Sequence, residues 1–290
     1  EKLLPIVDTI VFGEETFGLR LPHSFSRKEQ KQLVELAHVA GKKAMIAVNG
    51  IMHPEKMQQI PTYLTFLKKI QVDAIQLGDP GIIYDMRAHP ELALPFVYDG
   101  ETLVTSARQI NFWGHKGASG AILAREVPFS EMQAMALQLE IPVEVLVYGA
   151  TCIHQSKRPL LQNYYHFSQQ EESADKARGL FLAEPQEKDS HYSIFEDSHG
   201  THIFANNDIC LIRHLAELVA NGFTTWKLDG IFSPGDHFVA IAKLFDQARC
   251  ALQNNTWDLA LAERLFIQIK SLHPKERELD TGFYDLDPDD

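Results

Sequence analysis

Two strand-like runs of this chain hold charges where apolar side chains would be ordinary. Glu144 is the only polar residue within 143–147. Lys227 and Asp229 share one face of the run 223–229, opposite Trp226 and Leu228. Cys152 follows the first run within a few residues. A charge left unpaired inside a sheet is strongly unfavourable. Glu144 and Lys227 are therefore expected as close neighbours, either as acid–base machinery or as an ion pair with no catalytic duty. Cys152 allows two chemistries, a nucleophile if a base lies near, or a ligand of a metal cluster. His154 is close in sequence, but Cys–His dyads are normally assembled from distant segments.

The elements that must position these groups alternate between short apolar runs and helical spacing. Strands are expected at 6–13, 43–49, 73–78, 95–99, 120–125, 143–149 and 223–229. Between them, Ser26-x-x-Glu29 opens a helix carrying Leu33, Leu36, Ala37 and Ala40, which stops at Gly41. Ser130-x-x-Gln133 opens another, and Asp208 is placed to cap a third that carries Leu211, Leu215 and Leu218. Two more helical patterns cover 236–252 and 256–272. Strand–helix alternation means a parallel sheet. A doubly wound sheet would announce itself by a Gly-rich first turn, and neither G-x-G-x-x-G nor G-x-x-x-x-G-K-[ST] occurs. The fold expected is a single (β/α)8 TIM-like barrel over 1–290, its first strand missing from the N-terminus.

In a barrel, function gathers at the carboxyl ends of the strands. Those ends hold Glu14 and Glu15, Asn49, Asp79, Asp99, Arg125 with Glu126, Tyr148 with Cys152, and Lys227 with Asp229. Alternation puts Glu144 and Tyr148 on one face. A plainer account is that strand ends are polar because they meet water. Residues 164–207 break the rhythm with two alternating runs around Ser198-His-Gly200, which reads as an inserted β-hairpin acting as an arm or lid. Residues 285–290 read as a mobile acidic tail.

Composition narrows the class. The net charge of −12 works against broad nucleic-acid binding but leaves room for a local basic groove. No apolar run reaches membrane-spanning length, and three cysteines with no paired framework fit a reducing cytosol. His191, His199 and His202 beside Glu196 and Asp197 match no zinc spacing, and no H-E-x-x-H occurs. They are expected as exposed hairpin histidines, and no metal site is expected.

The run from Glu144 through Tyr148-Gly-Ala-Thr-Cys152 to Leu160-Leu-Gln-Asn163 resembles the signature of the collagenase-like peptidase family U-32. So do Gly13-x-x-x-Phe17-x-x-Arg20, Leu123-Ala-Arg125-Glu126, Asn207-Asp-Ile-Cys210 and Lys227-Leu-Asp229-Gly230. Two signature positions differ, with Tyr148 in place of a His and Pro159 in place of a second Cys. Members that bind a [4Fe–4S] cluster use four cysteines. The matching positions here are Cys152, Pro159, Phe181 and Cys210, so an intact iron–sulfur cluster is not expected.

The chain is similar to a short, cluster-lacking branch linked to tRNA 5-hydroxyuridine hydroxylation. That resemblance implies a cytosolic protein acting on wobble uridine in tRNA, with prephenate as co-substrate. Arg20, Arg125 and Lys227 would form a cationic pocket for that dicarboxylate. Glu144, Cys152 and Asp229 would stand at the reacting centre, with Asn49, Asp79, Glu126 and Tyr148 around the substrate. A thiol-dependent peptidase using Cys152 and a non-catalytic subunit supporting a longer, cluster-bearing U-32 paralogue are the alternatives.

Overall fold

A computed structural model describes residues 1–186, 190–233 and 235–287. Seven strands run parallel in the order the apolar runs predict: β1 (Thr9–Phe12), β2 (Lys43–Val48), β3 (Ala74–Leu77), β4 (Phe96–Tyr98), β5 (Ala118–Ile122), β6 (Val143–Ser156) and, beside β6, the later strand β10 (Thr225–Leu228). Helices pack between successive strands, and their apolar faces join those of the sheet in one core built around Ile46, Val48, Ile75, Leu77 and Leu64. The sheet is curled. Flat, it would hold β3 and β10 about 19 Å apart across four strand spacings, yet the side chains of Gln76 and Lys227 approach to 3.4 Å. Among the described residues β1 and β10 do not pair, so the curl is open and the seven parallel strands form a partial barrel.

The 164–207 region brings β7 (Phe181–Leu182), β8 (Tyr192–Asp197) and β9 (Gly200–Cys210). Ser198 and His199 turn β8 into β9. β9 then continues along the extended half of β6 as an antiparallel partner, so the hairpin is continuous with the main sheet. Irregularities flanking Cys152 bend β6 out of the parallel layer to make this possible. The hairpin rests on a small apolar cluster of Ala150, Phe195, Phe204 and Ile231. β11 (Glu278–Asp280) adds to the other side of β9.

Capping differs from expectation at two helices. Ser26 and Glu29 form the reciprocal cap that their spacing predicts. The helix Phe129–Ala136, however, starts after Pro128 with no side-chain cap from Ser130. Asp208 caps nothing. It lies inside β9, held by Arg277, and the helix after it begins only at Leu215. A buried cation outcompetes a helix terminus for that carboxylate. Of the expected acidic tail, 288–290 lie outside the described residues. Tyr284, just before it, is buried.

Candidate active site

The expected pair forms. Lys227 Nζ lies 3.7 Å from Glu144 Oε1, with the two side chains 17% and 14% exposed. Gln76 extends the pair into a chain, since its Oε1 accepts from Lys227 and its Nε2 donates to Asp99 Oδ2. Asn49 also donates to Asp99 Oδ2 at 2.8 Å, while its own Oδ1 accepts from the Leu19 backbone. These groups come from β2, β3, the end of β4, β6 and β10, so the curl of the sheet assembles them.

The two carboxyls titrate in opposite directions. Burial pushes Asp99 up, but Lys227, the Asn49 and Gln76 donors and Arg20 outweigh it and hold its carboxyl below the usual range. For Glu144 burial dominates, Lys227 only partly offsets it, and Asp99 adds repulsion, so its carboxyl sits above the usual range. A raised carboxyl means that the native state keeps a proton which the unfolded chain has released. Stability therefore falls as pH rises from the ordinary glutamate value, about 4.3, through the raised one. Glu144→Gln lacks this proton linkage. In urea melts across that window the variant is expected to gain on the wild type as pH rises, and parallel curves would refute the linkage.

Above this pair, a cleft is lined by Asp99, Glu101, Arg125, Glu126 and Cys152. Arg125 and Glu126 have no ion-pair or hydrogen-bond partner among the described residues, which leaves Arg125 available to an anion. Arg20 is buried and committed, with Nη2 2.5 Å from Glu101 Oε1 and Nη1 donating to Gln155 Oε1 at 2.9 Å. Burial disfavours its charge, but Glu101, Cys152 and Asp99 overcome that and raise its pKa. Its backbone φ of 50° is a left-handed conformation that directs the side chain from the end of β1 toward the extension of β6.

Three expected site residues do other work. Asp79 caps the helix Pro80–Ala88 through the Gly81 amide, and its other oxygen accepts from the Met52 amide at 2.8 Å. Asp229 accepts from the Ile231 amide, and its backbone and Cβ crowd Gly149, where an added Cβ would stand 2.7 Å away. Tyr148 does not share a face with Glu144. The pairing of β6 with β10 skips Val147, which turns Tyr148 outward to bond Ser233 and His273, both at 2.8 Å.

The hairpin histidines are not exposed. His199 and His202 are both buried. His199 Nε2 meets the Glu15 carbonyl at 2.6 Å, and its ring covers Gly50, so the hairpin tip spans from β6 to the ends of β1 and β2. His202 Nε2 meets Asp197 Oδ1 at 2.9 Å. The ring lies beside Cys152, while His154 is exposed and offers that thiol only its carbonyl, at 3.3 Å. Gln76, Asp197 and His202 were not singled out as site residues in the sequence. Gln76 carried a signal, being the one polar residue in an otherwise apolar strand.

An iron–sulfur cluster does not fit. Cys210 stands opposite Tyr148, four residues along β6 from Cys152, so the two cysteines are roughly 13 Å apart at strand rise. Phe181 is stacked on His191. Cys210 is buried, and burial pushes its thiol up to about 12.

The model of peptidase family U32 matches residues 2–290. The chain belongs to this family. This U32 chain is 35% identical to tRNA hydroxylation protein P2 of Bacillus subtilis (strain 168) over 97% of its own length and 93% of that protein. It is 25% identical to tRNA hydroxylation protein P of Escherichia coli (strain K12), matching 77% of itself but 59% of that longer protein. Among solved structures, the U32 peptidase Mk0906 aligns with 51% of the chain and 65% of its own at 18% identity and a TM-score of 0.43. Among the described residues, no helix is long and apolar enough to cross a membrane.

Proposed function

We propose that this U32 chain acts in the 5-hydroxylation of wobble uridine in tRNA, as a cytosolic protein with prephenate as co-substrate. The observation that carries the reading is the nearly end-to-end relationship to a tRNA hydroxylation protein. The cleft is compatible with it. Arg125 is the open cation for one carboxylate, and Arg20 can serve a second by exchanging Glu101 for it. Lys227 lies deeper, held by Glu144 and Gln76, and acts by keeping Asp99 charged. We read the curled sheet as seven strands of a (β/α)8 barrel, with the cleft at the carboxyl ends.

The test is nucleoside analysis of tRNA from cells lacking the gene, complemented with the wild type or with Cys152→Ala. The 5-hydroxyuridine derivatives are expected to fall in the deletion, to return with the wild type, and to remain at least tenfold lower with the alanine copy. Unchanged nucleosides in a strain without paralogues would refute the reading. Return of the modification only when a longer, cluster-bearing paralogue is present would make the chain a supporting subunit. The Cys152, His202, Asp197 arrangement favours a thiol-dependent peptidase as the second reading. Cleavage of denatured collagen that is lost in Cys152→Ser would establish it.

A further inference from the structure

His202 is 0% exposed, and only one of its ring nitrogens is satisfied within the protein. Nε2 is held by Asp197, whereas buried Nδ1 has no hydrogen-bond partner. An orphaned nitrogen in the interior is costly, and its persistence calls for a use. The strand register identifies the neighbour. Cys152 stands opposite Phe204 across β6 and β9, and His202, two residues along, shares the Phe204 face. Burial lowers the proton affinity of His202, but Asp197 and Cys152 outweigh it, so the ring holds a proton more readily than an ordinary histidine. The charged groups facing this pair are Arg20 after β1, Asp99 and Glu101 after β4, Arg125 and Glu126 after β5, and Asp197 on β8.

Resting on the tRNA reading, we propose that Cys152, His202 and Asp197 form a relay that adds the Cys152 sulfur to C6 of a uracil base in the cleft. The thiol turns from the His154 carbonyl and gives its proton to His202 Nδ1, while Asp197 fixes the ring through Nε2. The thiolate lone pair forms the S–C6 bond, and the C5=C6 π pair moves toward C5 and O4 as an enolate. Charge is conserved, nothing is oxidised, and the proton rests on the imidazolium, which Asp197 stabilises. C5, an unreactive vinyl carbon in uracil, becomes nucleophilic, and it is the carbon that must take up oxygen. Collapse of the enolate expels the thiolate and regenerates the base. Arg20 supplies positive charge beside the sulfur.

Two measurements test the relay. The first is iodoacetamide alkylation of Cys152, followed peptide by peptide from about pH 5 to about pH 10, so that Cys210 and Cys250 are counted separately. His202→Asn should slow Cys152 alkylation at neutral pH about tenfold relative to the wild type, and Asp197→Asn, which keeps the side-chain volume, should fall between. The second is the intact mass of protein mixed with an anticodon stem–loop carrying 5-fluorouridine. Fluorine at C5 makes C6 more electrophilic and shifts the reversible addition toward the S–C6 adduct, so a covalent adduct should accumulate with the wild type and not with Cys152→Ser. An alkylation rate at Cys152 shared by the wild type and both variants would overturn the relay. His202-dependent alkylation without adduct would overturn uracil as its target. Unchanged nucleosides in the deletion strain would instead remove the tRNA reading and leave the alkylation result standing.

Discussion

Lys227→Met is expected to abolish complementation of the tRNA modification and to lower the unfolding free energy by about 3 kcal/mol at neutral pH. Methionine preserves the volume and removes the charge that holds Asp99 ionised beside Glu144. Two carboxyls would then share a buried chain with only Asn49, Gln76 and Arg20 to offset them. The pH dependence has a definite sign. Asp99 has a depressed native pKa, so its stabilisation is present above the ordinary aspartate value of about 3.9 and is lost as pH falls through the native value. The deficit of the variant should therefore shrink in acid. Thermal melts at neutral and acidic pH measure it, and a deficit independent of pH would show that packing, not charge, had been lost.

Arg277→Met is expected to cost about 3–5 kcal/mol. The Arg277 and Asp208 side chains are each 3% exposed. The guanidinium donates to Asp208, to Ser193 Oγ at 2.8 Å and to the Ala205 carbonyl at 2.8 Å, and it lies over the Phe232 ring. It thus ties the base of the hairpin to the chain that follows the last helix. Removing it leaves Asp208 a buried carboxylate with only His273, whose Nε2 lies 3.5 Å from Oδ2, to offset its charge. Chemical denaturation should show the loss, and Asp208→Asn in the same background should recover part of it. No recovery would mean that the penalty comes from the hydrogen bonds to Ser193 and Ala205 instead.

The parallel strands were legible because each is a short apolar run, and the Glu144–Lys227 pair because charges inside such runs must find each other. What lay beyond the sequence was irregular backbone. The skipped pairing at Val147 reverses Tyr148, and no local pattern distinguishes that strand from a regular one. The bends around Cys152 let a single 14-residue strand pair with parallel partners in its first half and with antiparallel β9 in its second, which period-two reasoning cannot foresee. The polar neighbours of His202 suggest an exposed ring. It is buried because β6 and the apolar cluster of Phe195 and Phe204 close over it. Asp208 and Asp79 show opposite confusions. One looked like a cap and is an ion-pair partner, and the other looked like a ligand group and is a cap.

The contact between His199 and the Glu15 carbonyl joins positions 184 residues apart. Closing so long a loop gives no reward until nearly everything between is in place, so this contact belongs to the end of the folding pathway. During synthesis the β1–β5 layer can form while the ribosome is still making the hairpin, but no thiol–imidazole pair exists until His202 has emerged and found β6. Amide protection at 197–204 should accordingly appear after that of β2 and β3 in a refolding experiment. Cys152 on β6 thus stays without its imidazole neighbour for the time it takes to translate the intervening arm.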